Sequence, residues 1–66
     1  MNNTIYHATP AVRSFAPGRA FPTLREATAF AVEASERYRV PFVIWRFQAG
    51  VLRRLATYHP RERTNA

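Results

Sequence analysis

The chain has no cysteine, no lysine and no aspartate, and only two glycines among its 66 residues. Without cysteine there is neither a disulfide framework nor a thiolate zinc site, which fits a reducing compartment. Without aspartate the only acids are four glutamates, and three of them, Glu26, Glu33 and Glu36, fall on one solvated helix face at ion-pair spacing instead of as facing carboxylates. Two glycines are too few for a phosphate-cradling loop. No stretch approaches transmembrane length, and the opening "MNNTIYHATP" lacks a basic segment followed by an apolar run. The expected location is therefore the cytoplasm, a host's cytoplasm if the chain is phage-encoded, with no membrane partner.

Candidate chemistry is correspondingly thin. His7 and His59 would meet only if the first and last strands were neighbours, and two histidines without a third ligand make no metal site. Ser14 and Ser35 have no histidine and acid arranged around them. The expectation is a noncatalytic protein with no metal and no cofactor.

What the chain does have is arginine. All ten basic residues are Arg, and the formal charge is +6. A GC-rich codon usage accounts for the choice of Arg over Lys, but not for the shortage of acids. Arg39, Arg46, Arg53 and Arg54 lie in a segment with no acid at all, so one side of the molecule should be positive and attract phosphate or an acidic protein patch.

A chain this short forms one domain, expected over 1–66 with an ordered core at about 4–59 and a polar tail at 60–66. In "FPTLREATAFAVEASERYRVP", Thr23 and Glu26 make a capping box, so a helix should start at Leu24 and end before Pro41. Leu24, Ala27, Ala31, Ala34 and Tyr38 form its inward stripe, with Phe30 at the edge and a Glu33 to Arg37 pair outside. "FVIWRF" and "VLRRLATY" read as a hairpin around "QAG", expected as a three-residue loop with Gly50 in the left-handed position. "NTIYHA" supplies an earlier strand, and "AVRSFA" a continuation or second one. The fold class is α+β, one helix on a small antiparallel sheet in the order β-α-β-β.

With the three-residue loop, Phe47 pairs with Val51, Trp45 with Arg53 and Val43 with Leu55. That face is the more apolar and is expected under the helix, with Arg53 at its rim on the Trp45 ring. The opposite face would present Phe42, Ile44, Arg46, Leu52, Arg54 and Tyr58 to solvent. The candidate partner-binding residues are Arg46, Arg53, Arg54, Phe42, Ile44, Tyr58 and Arg39. A base-stacking platform built from the aromatic residues is set aside, because a core this small needs most of its rings and "RFQAGVLRRL" lacks the ring pattern of an RNA recognition motif.

With the helix "TLREATAFAVEASERY" and the hairpin "PFVIWRFQAGVLRRLATYHP", the chain resembles small proteins of phages and other mobile elements, among them the compact β-α-β-β anti-CRISPR proteins. The resemblance covers size, layout and lack of catalytic groups, and no motif carries a functional residue across. It implies a stoichiometric inhibitor that occupies a surface of a host nucleoprotein complex. Many proteins of that group are acidic nucleic-acid mimics, and the +6 charge argues against mimicry here. Two alternatives stand beside it: a small accessory protein making nonspecific phosphate contacts, and a homodimeric interaction module.

Overall fold

Thr23 begins the helix as the capping box requires. Its backbone is extended (φ −129°, ψ 151°) and its side-chain oxygen accepts the Glu26 backbone N–H at 3.2 Å. Helix α1 runs over Leu24–Tyr38 and stops at Arg39, which adopts the left-handed conformation (φ 57°) two residues before Pro41. The structure, a computed structural model, describes residues 3–61. Strands β1 (Ile5–Pro10) and β2 (Arg19–Phe21) precede the helix, and β3 (Phe42–Gln48) and β4 (Val51–Tyr58) follow it. The α+β class and the order β-α-β-β hold, with the three-residue β2 added before the helix. "AVRSFA" contributes no strand; the chain from Ala11 to Gly18 is a loop.

The four strands form one antiparallel sheet in the order β2-β1-β3-β4. Gly18 lets the loop return close against β1, because a Cβ there would lie 3.2 Å from Thr9 Cγ2 and 3.3 Å from the Ala8 carbonyl oxygen.

The helix buries Ala27, Ala31, Ala34 and Ser35, and the Ser35 hydroxyl is satisfied by the Val32 carbonyl at 2.9 Å. This small-residue stripe lets the helix lie close on Ala8, Phe42 and Ile44, each 0% exposed. Phe21, Phe30 and Phe42 close one flank, with ring centroids 5.3 and 5.9 Å apart, and the Arg19 guanidinium lies over the Phe21 and Phe30 rings. Leu24 and Tyr38, expected in the inward stripe, are instead exposed at the helix ends, where the short sheet gives them little to cover. Among the described residues the ion pair at the helix is not the expected Glu33 to Arg37 but Glu36 to the C-cap Arg39, at 3.5 Å and a spacing of three residues.

The hairpin differs from expectation. Gln48 pairs with Val51, so the turn has two residues, Ala49 (φ 52°) and Gly50 (φ 77°), both left-handed. Ala49 accepts the conformation that argued against this turn because positive φ at both central positions matches the right-handed twist of the strands. A bulge then places Leu55 beside Ala56 opposite Ile44, so Leu55 and Tyr58, three apart in sequence, both pack on the helix side.

Candidate docking face

The register decides which residues share a side of the sheet. Phe42, Ile44 and Arg46 alternate with Val43, Trp45 and Phe47 along β3, and the helix covers Phe42 and Ile44. The expected assignment of faces is therefore inverted. Phe42 and Ile44, expected in the partner-binding set, are fully buried beneath α1, and Tyr58 packs against the same core. The hairpin alone suggests otherwise, since in the expected register Val43, Trp45, Phe47, Val51 and Leu55 share their face with one arginine and the opposite face carries two. Strand β1 resolves the choice. Tyr6 and Ala8 point to the helix, while Ile5, His7 and Thr9 stand opposite Phe47, Trp45 and Val43 on the other side. An alanine-lined helix lying close to the sheet also leaves little room for an indole.

The face away from the helix carries rows of cross-strand neighbours. His7, Trp45 and Arg54 form one, and Ile5, Phe47 and Leu52 the next. In the described residues no secondary-structure element packs on this side. His7, Thr9, Trp45, Phe47 and Leu52 enclose a shallow depression of about 360 Å³. Phe47 is 40% exposed and Leu52 55%.

Trp45 is fixed within this face. Its indole Nε1–H donates to the Thr9 hydroxyl at 3.1 Å, so the ring leans diagonally across the sheet from opposite His7 towards Thr9. Val43, between Thr9 and Thr57, is only 3% exposed as a result. The indole's one polar atom is thus used internally, and what it offers outward is π surface. Arg54 stands opposite Trp45 and donates to the Thr57 hydroxyl at 2.7 Å. Its position takes the place expected for Arg53.

Arg53 lies instead opposite Arg46 on the helix side of the hairpin, and Arg46 stands next to Tyr6 across β1. Like charges directly opposite on neighbouring strands repel. Among the described residues neither guanidinium has an acid beside it, since Glu36 is taken by Arg39. Arg39 is likewise committed within the molecule: besides Glu36, its guanidinium donates to the Arg61 carbonyl at 2.9 Å, and the Arg61 N–H donates to the Glu36 carboxylate. Within the expected polar tail of 60–66, Arg61 is thus tied to the helix end, and 62–66 lie outside the described residues.

Sequence reasoning missed Phe15, which sits fully exposed in the β1–β2 loop near Arg13. Its reading as part of a strand hid it. His7 and His59 do not meet, because β3 lies between β1 and β4. No helix among the described residues is long and apolar enough to cross a membrane. No protein-family model matches the chain, and no curated protein or solved structure shows significant similarity to it.

Proposed function

We propose that this chain is a noncatalytic binding protein that docks through its β3–β4 hairpin onto a nucleoprotein complex and acts by occupying it, as a stoichiometric inhibitor of the anti-CRISPR type would. The observation that carries the reading is the uncovered sheet face at the hairpin, where Trp45, Phe47 and Leu52 lie beside Arg54 while Arg46 and Arg53 line the reverse. Phe47 and Leu52 exposed beside a half-buried Trp45 are costly to solubility in so small a domain unless a partner uses them. Arg54 beside them, with Arg46 and Arg53 on the reverse of the hairpin, favours a phosphate-bearing or acidic partner.

Two features direct docking to the face and not to the free edge of β4. A bulge at Leu55 interrupts the ladder, and adjacent arginines occupy the strand, both of which discourage edge pairing. The accessory-protein reading draws on the Arg46 and Arg53 pair, a ready phosphate clamp. The homodimer reading is weakened by charge, since each copy carries +6.

The test is affinity capture of host nucleoprotein by the immobilised protein and by an Arg46→Glu/Arg54→Glu variant whose fold is verified by circular dichroism. Capture by the parent and loss by the variant is expected. Equal capture by the folded variant contradicts docking through the hairpin.

A further inference from the structure

We infer that the uncovered sheet face is a stacking platform for single-stranded nucleic acid, with bases laid on Trp45, Phe47 and His7 and the backbone held by Arg54. The inference rests on the docking reading above and names what the face takes; it reverses the sequence-based expectation that no stacking platform is built, because Trp45 and Phe47 are not among the rings packed into the core.

Three observations carry it. First, Trp45 and Phe47 lie on β3 and His7 on β1, the two central strands of the sheet, so flat π surface is concentrated where an extended strand would cross. Trp45 and Phe47 are two residues apart on one face, about 7 Å by strand rise. That is about twice the 3.4 Å rise per nucleotide along a stacked strand. Two bases can therefore each take a ring only if they are splayed, which a single strand allows and a duplex does not.

Second, the platform is preorganised. The Thr9 hydroxyl fixes the indole, so little ordering remains to be done when a base arrives. With its N–H already used, the indole reads no base edge, and the platform should tolerate any sequence.

Third, the charge is complementary. The three glutamates in the described residues, Glu26, Glu33 and Glu36, are all on α1, on the far side of the sheet. Arg54 flanks the rings with donors to spare after its bond to Thr57. A second copy of the chain would bring +6 against +6, whereas a polyanion meets no repulsion here.

The test uses the single tryptophan as its own reporter. Short single-stranded oligonucleotides of RNA and DNA, and duplexes of matching length, are titrated at low salt into the full chain and into Phe47→Leu, which keeps apolar bulk but removes a ring. Val32→Ser, on the exposed helix surface, is the control. Quenching of Trp45 emission by single strands is expected, with weaker binding of duplex. Phe47→Leu should weaken single-strand binding at least about fivefold, within the roughly five- to 150-fold that loss of one stacked base costs on alanine substitution. Equal affinity for duplex with no effect of Phe47→Leu overturns stacking and leaves the arginine docking reading intact. Absence of nucleic-acid binding overturns it too, and capture by the Arg46→Glu/Arg54→Glu pair then reports on docking separately. Light scattering that finds a dimer with Trp45 shielded also overturns it.

Discussion

Phe42 and Phe47 carry the same side chain on the same strand, yet the first is fully buried and the second 40% exposed. The difference follows from parity on a pleated strand and from the side on which the helix lies. It also makes the inverted face measurable. Phe42→Ala removes a ring packed edge-on against Phe30 and should cost about 3–5 kcal/mol in urea unfolding. Folded stability for a domain of this size is only roughly 3–10 kcal/mol, so the variant should be largely or partly unfolded at room temperature. Phe47→Ala should cost clearly less, within about 1.5 kcal/mol, because much of that ring already meets water. The reverse ranking would return the helix to the Trp45 side. Tryptophan and phenylalanine at 45 and 47 look in the sequence like core residues, and only the polar His7 and Thr9 on the same face of β1 mark that side as outward.

The hairpin spends stability where its function is proposed. Arg46 and Arg53 face one another across β3 and β4 without an intervening acid among the described residues. Arg53→Glu turns this repulsion into attraction and should stabilise the fold by about 0.2–1 kcal/mol at low salt, with the gain shrinking as salt rises. Urea midpoints at two ionic strengths check this, and an unchanged or lowered midpoint at low salt would show that the pair is not strained. The helix and the hairpin were legible in the sequence because capping boxes, proline stops and β-branched runs are local signals. The register was not. Ala49 at positive φ is an uncommon choice for a two-residue turn, and the bulge at Leu55 leaves only a faint trace, the spacing of three between Leu55 and Tyr58 where a regular strand wants two. A one-residue difference in register exchanges faces, so the two-residue turn reassigned Arg53 and Arg54, and the bulge then put Leu55 and Tyr58 on one side. Strand β2 was invisible for another reason: three residues, Arg19–Phe21, are too few to show alternation.

At the scale of the whole molecule, a sheet covered on one side by an acid-bearing helix leaves its other side bare, aromatic and free of acids among the described residues. With the +6 charge of the full chain, this gives a directional molecule whose association should be governed by counterion release. Log affinity for a single strand should fall against log salt with a slope of about −0.7 for each phosphate neutralised, and Arg54→Gln should flatten it by about one phosphate. A slope unchanged in Arg54→Gln would remove that residue from the backbone contact. The most direct test of the account is a nuclear magnetic resonance titration of the labelled protein with a single-stranded oligonucleotide. The account predicts shifts of the Trp45 indole, the Phe47 ring and the His7 ring, with the outer surface of α1 unmoved. Shifts confined to α1, or none on the Trp45 side of the sheet, would contradict it.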